Sequence, residues 1–356
     1  MLATLTLHEL LLGILVSLIL IFLFIIGLLL YSFREYRSHA NRQQWKEQIE
    51  AYLLAQLMLG PADELQLDSK LQALMRHENF RRFFLGLLIA SERKFSGVAV
   101  QTLVKIYEGY GLDQEAYSLL RSRSSHLIAR GIQALTVMQD RQALPEIEQK
   151  INHYHPQVVQ EVQYAMVSFK GFDGLSFMDQ LDAVLSDWQQ LRILNSITAL
   201  PANGIDRLRN WMKSSNESVQ ILCLKFIRKF QLLSLHEDLF ALLGAGSAKL
   251  HEEVIKTIFS VEQSDSSTRL LAYFHHANQR EQLAIITGLG DSRALDQISF
   301  LKQQLTQHAD ESLKIKSVET LVTLGQMNYL FELQKQLKLE DPTLHILNHT
   351  LQHKYE

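Results

Sequence analysis

Three histidines spaced four residues apart, His345, His349 and His353, come nearest to a metal site in this chain of 356 residues. Imidazoles at i and i+4 share one face of a helix and can chelate zinc or nickel. No cysteine or acidic residue nearby completes the set, and there is no His-Glu-x-x-His, so they stand only as weak candidates and no metal or cofactor is expected. Gly244-Ala-Gly-Ser-Ala-Lys249 carries glycines before a lysine, but a phosphate loop needs a different spacing between a strand and a helix. Gly244 serves better as a helix C-cap and Ser247 as the next N-cap. Gly288-Leu-Gly-Asp-Ser-Arg-Ala294 lacks the strand before it that dinucleotide binding requires. Cys223, the single cysteine, sits between Leu222 and Leu224 at a core position, which excludes a disulfide framework and any multi-cysteine metal site. No nucleophile–base arrangement follows from spacing, so the chain is not expected to be an enzyme.

Cations gather in short stretches: Lys225, Arg228 and Lys229; Arg121, Arg123 and Arg130; and Phe80-Arg-Arg-Phe-Phe84, where bases alternate with aromatics. The net charge is only −3, so these are local contrasts on an acidic body. They fit docking of a protein or a membrane surface better than nucleic acid, which needs concentrated positive charge. Trp188 and Trp211 are expected to pack between helices.

The elements that would position these residues begin with Leu10–Tyr31, 22 residues without a charge. As a helix this run covers the roughly 30 Å hydrocarbon core. It is too long for a signal peptide, and Met1–Glu9 has no Lys or Arg. Arg34, Arg37, Arg42 and Lys46 follow it and would hold that side in the cytoplasm. The sequence therefore predicts a single-pass protein of a bacterial inner membrane, N-terminus out, with the lipid bilayer as one partner. The expected segments are a short extracytoplasmic N-terminus (1–9), a transmembrane helix (10–32) and a basic juxtamembrane helix (33–60). Capping helices (61–95), a repeat region (96–340) and a last capping helix (341–356) complete the chain. Gly13 and Ser17 form a small-xxx-small pair through which two spans could self-associate.

From about residue 96 the apolar positions repeat. The last buried position of each first helix precedes the first of its second helix by five or six residues, as in Met138/Leu144, Phe169/Leu175, Leu200/Ile205, Phe230/Leu235 and Leu289/Leu295. Marks of this kind, Ile106 to Leu324, recur every 30–32 residues through Val261 and then after 28 and 35. A fixed period in this range belongs to a solenoid, because a single helical pair cannot bury its apolar face alone. Only 16 Gly and 5 Pro among 356 residues agree with an all-α chain.

One turn reads Leu289-Gly-Asp-Ser-Arg-Ala-Leu295, and Met138-Gln-Asp-Arg-Gln-Ala-Leu144 is a looser copy. With the period, these turns make the region 96–340 resemble the short bacterial HEAT-like repeat, also called the phycobilisome-lyase HEAT-like repeat. The opening of the first helix keeps that pattern only in outline, as Asn216-Glu-Ser-Val219 and Asp310-Glu-Ser-Leu313. The resemblance implies an α-solenoid of helical hairpins whose second helices line the concave face. It also implies protein binding, so the expected function is a membrane-anchored protein–protein interaction scaffold without catalysis. Two alternatives stand beside it: an accessory subunit of a membrane enzyme complex, such as one of envelope glycan synthesis, or a bilin lyase or isomerase.

Overall fold

A chain poor in helix breakers and apolar every third or fourth residue has one economical solution, amphipathic helices that bury their stripes against one another. The computed structural model describes residues 7–59, 67–92, 97–244, 246–261, 265–338 and 341–352, and their regular structure is entirely helical. Two compact units divide the chain, residues 1–169 and 170–356.

The first unit holds α1 (Leu7–Leu59), α2 (Ser69–Leu74), α3 (Glu78–Glu92), α4 (Val98–Gly109), α5 (Leu112–Leu120), α6 (Ser125–Val137), α7 (Leu144–Glu148) and α8 (Pro156–Lys170), which closes at the boundary. Its core joins the second half of α1, through Ile49 and Leu53, to Phe80, Phe84 and Leu88 of α3, and continues through Leu103, Leu119 and Leu135. Trp45 meets Phe80 edge-on with ring centroids 5.3 Å apart.

The expected transmembrane helix at 10–32 is corrected here. Among the described residues, no helix is long and apolar enough to cross a membrane. That overturns the anchor, and with it the single-pass placement in a cell membrane with cytoplasmic repeats. Nor does the run end at the basic residues, since α1 continues through them to Leu59. The side chains of this run are described without a gap only from Leu15 to Leu29. These side chains are exposed, Leu20 by 62% and Phe24 by 68%. The segments expected at 10–32 and 33–60 are thus one element.

The second unit follows a two-helix rhythm. First helices are α9 (Asp187–Ser196), α11 (Glu217–Phe230), α13 (Ala248–Ser260), α15 (Gln279–Asp291), α17 (Glu311–Thr323) and α19 (Pro342–Gln352). Second helices are α10 (Gly204–Trp211), α12 (His236–Leu242), α14 (Ser266–Phe274), α16 (Ile298–Gln307) and α18 (Met327–Gln336). Polar caps open the first helices as the sequence outlined: Asn216 for α11, Ser247 for α13 and Asp310 for α17. Asn278 and Glu281 form a reciprocal capping box on α15.

The repeat length is visible in the side-chain bonds. Trp211 Nε1 donates to Asp179, Arg209 to Asp238, the Ser247 N–H to Glu217, and Gln279 to Asp310, all between residues 29–32 apart. In this unit each first helix from α11 packs directly on the next, whereas the second helices pack on first helices and make no comparable contact with one another.

Four first helices end in the same backbone turn. After α15 the Ala294 N–H donates to the Leu289 carbonyl (3.0 Å) and the Arg293 N–H to Gly290 (3.2 Å), with Arg293 at φ 55°. The same paired bonds close α6 around Gln139 and α17 around Gly325, and a 3.1 Å bond from Leu232 to Ile227 closes α11 around Gln231. This is the Schellman arrangement, in which glycine suits the left-handed residue. Arg293→Gly is therefore expected to raise stability by about 1 kcal/mol. A urea midpoint equal to or below that of the unsubstituted chain would contradict this reading of the turn.

Two expected elements differ. The second helix expected after Phe169 is 3-10 over Gly171–Gln180. α9 stops at Ser196, where Ile197 turns extended (φ −89°, ψ 110°), although the apolar pattern continues through Ile197 and Leu200. The Lys229 ammonium donates to the carbonyls of Leu194 (2.6 Å) and Ile197 (2.7 Å) at this end.

Candidate functional site

The first-helix layer of the second unit carries two adjoining grooves. The larger, about 730 Å³, runs between α13 and α15. On α13 it is lined by Glu252, Lys256, Phe259 and Ser260, and on α15 from Arg280 through Thr287 to Asp291. The spacing i, i+4, i+7, i+8 sets each group on one helical face. Its floor is apolar, with Phe259 under Ala284 and Gly288. A Cβ on Gly288 would stand 2.0 Å from the Phe259 ring, so only glycine lets the two helices approach this closely. A second groove of about 420 Å³ lies between α15 and α17 and reaches α19. It shares Thr287 and Asp291 with the first and adds Ile315, Lys316, Glu319 and His349.

The charges along these grooves are mixed. Lys256 pairs with Glu252 (2.7 Å) and Glu253 (3.4 Å), and Lys316 with Glu319 (2.6 Å). Arg280 and Asp291 are exposed and have no ion pair among the described residues. The Ser292 hydroxyl oxygen is buried without a hydrogen-bond partner. Such a surface has an apolar floor, hydrogen-bonding rims and charges of both signs. It can hold a polypeptide segment, and it lacks a convergent set of acid, base and nucleophile.

At the N-terminal end of the same helices, Glu281 is buried between repeats. His251 Nδ1 stands 2.8 Å from its Oε1, and the Tyr273 hydroxyl donates to Oε2 (2.8 Å). Burial pushes this carboxyl up, but the bonds from His251, Tyr273 and the Asn278 backbone outweigh it and hold it below its ordinary value. The ionised form therefore contributes stability that is complete above the unfolded chain's value, near 4.5, and is lost as the pH falls through the lower folded one. Glu281→Gln is expected to shrink the drop in urea midpoint between pH 6 and pH 3. An unchanged drop would show that other carboxyls carry it all.

The residues singled out from the sequence fall elsewhere. His345 and His349 are exposed on α19, and His353 lies outside the described residues. No group of three metal-ligating side chains comes together among the described residues. Arg42 and Lys46 are exposed on α1, with Lys46 3.9 Å from Glu50. The side chains of Arg34, Arg37 and Gly13 lie outside the described residues, while Ser17 is exposed. Cys223 is fully buried, and burial pushes its thiol up, away from the reactive thiolate.

Most cations of the basic stretches bridge one element to another, while Arg123 is exposed. Arg228 bonds Glu253 (2.7 Å) and Thr257 (2.8 Å) one repeat on, and Lys225 bonds Gln190 one repeat back. Arg81 and Arg82 both grip Glu115, and Arg121 is bidentate to Glu146. Trp211 is buried under the Arg207 guanidinium, 4.7 Å from its ring centre. Trp188 is 64% exposed, contrary to expectation. It occupies the first turn of α9.

No family model matches this chain, and no curated protein does. Sequence reasoning missed the grooves because Ala284, Thr287 and Gly288 are small residues within an ordinary helix. The signal that could have found them is the Ala284/Gly288 pair at i, i+4 opposite a large aromatic one repeat earlier.

Proposed function

We propose that this chain is a protein-binding scaffold, an α-solenoid of short HEAT-like repeats whose first-helix face holds an extended segment of a partner. The observation that carries this reading is the pair of adjoining grooves. They share Thr287 and Asp291 and draw their walls from four successive first helices, α13, α15, α17 and α19. A stack of like units offers a long, nearly continuous surface of this kind, well suited to a chain-like ligand. The HEAT-like resemblance of the turns at 138–144 and 289–295 supports the same reading. The groove between α13 and α15 falls within the usual volume range of ligand sites and is partly open to solvent.

The test places a photo-crosslinking amino acid at Leu283, on the groove, and at Ser299, exposed on second helix α16, in the native cell. The expected result is a discrete crosslinked protein from position 283 and none from 299. Equal crosslinking from both positions, or none from 283, would overturn the proposal.

A further inference from the structure

The groove between α13 and α15 has a polarity that specifies its occupant more narrowly. On α13, Glu252 and Lys256 neutralise each other. On α15, Arg280 stands at the N-terminal end and Asp291 at the C-terminal end, both exposed and both without an ion pair among the described residues. Eleven residues of helix separate them, about 16 Å at 1.5 Å per residue. An extended polypeptide covers that distance in about five residues at roughly 3.3 Å each. Between the two charges lies the apolar floor of Phe259, Ala284 and Gly288. Beside Asp291, the buried Ser292 oxygen remains without a hydrogen-bond partner.

We propose that this groove takes an extended segment of a protein partner that carries an acidic side chain about five residues from a basic one, with an aliphatic side chain between them. The inference rests on the reading of this face as the binding face. The acid meets Arg280, the base meets Asp291, and the aliphatic side chain covers the floor. Because the charges pair across a partly desolvated groove, they set the choice of partner more than the total affinity.

The experiment pans a random nonapeptide library displayed on phage against the whole chain and against Arg280→Glu and Asp291→Lys. Both sites are exposed and without an ion pair among the described residues, so the variants should fold, and their thermal melts check this. The unsubstituted chain is expected to enrich peptides with an acid and a base five residues apart around an aliphatic residue. Arg280→Glu should shift the enriched set towards two bases, and Asp291→Lys towards two acids. Each variant should weaken the parent peptide about tenfold or more by fluorescence anisotropy. Absence of enrichment, enrichment without that charge pattern, or a parent peptide bound equally by all three proteins would overturn the inference. The binding-face reading would survive a failure of the charge pattern if a partner still crosslinks at Leu283, and it would fall with the inference if none does.

Discussion

Gly131→Ala is expected to destabilise the first unit by about 2–3 kcal/mol, although alanine is the better helix former by about 1 kcal/mol. Gly131 lies in the middle of α6, which packs directly on α5. A Cβ built there would stand 2.4 Å from the Leu120 nitrogen and 2.9 Å from the Ala116 carbonyl oxygen. Both are backbone atoms of α5 or its last turn, so no rotamer change relieves the clash and the hairpin must open. Gly290→Ala is the control. Its Cβ would meet only the Thr320 side chain, at 3.1 Å, and no backbone atom. Urea denaturation should show a large loss for the first substitution and little for the second. A Gly131→Ala chain as stable as its parent would mean that the α5–α6 contact is looser than described.

The contrast between these two glycines shows which parts of the fold could be read in advance. The period near 31 residues was legible because buried apolar positions such as Leu135, Phe169, Ile227 and Leu289 must recur wherever the helices stack. The turns at 138–144 and 289–295 were legible as turns, but their left-handed backbone was not, because the residue that adopts it is Gln139, Gln231 or Arg293 where a glycine would have announced it. Backbone bonds to the preceding turn hold these residues there, and the sequence does not display those bonds. The joints were hidden for another reason. Lys225, Arg228, Arg81 and Arg82 read as free cations until their partners, a repeat or a hairpin away, are brought beside them. Carboxylates are plentiful on the chain, so nothing in the sequence separates buried Glu115 and Glu281 from the solvated majority. The apolar run at the start of α1 illustrates the opposite limit. Its composition suggested a span, yet it is part of a 53-residue helix whose far end, at Ile49 and Leu53, belongs to a globular core.

Glu115 provides the strongest test of the joints. Its side chain is only 3% exposed and accepts from Arg81 Nε and Arg82 Nε, each at 2.9 Å. Arg82 also pairs with Glu78, and Arg81 donates to the Met75 carbonyl (3.0 Å). Arg130 reaches the same place from α6, donating to the Arg82 carbonyl at 2.8 Å. Burial and the neighbouring Arg82 lower the pKa of Arg130, against the pull of Glu115. One carboxylate therefore holds α3, α5 and, through Arg82, α6 in register, and it is the buried counter-charge for three cations. Glu115→Ala removes it and leaves those cations facing one another. Loss of one member of a buried ion pair costs about 3–5 kcal/mol, and the partial exposure of both arginines places this case at about 3 kcal/mol. Glu115→Gln keeps an acceptor oxygen but no charge, so it should fall between alanine and the parent. The decisive comparison adds Arg81→Met to Glu115→Ala. If the loss comes from uncompensated charge, the double variant should recover part of the stability lost in the single one, whereas losses that simply add would show that Glu115 acts through packing alone.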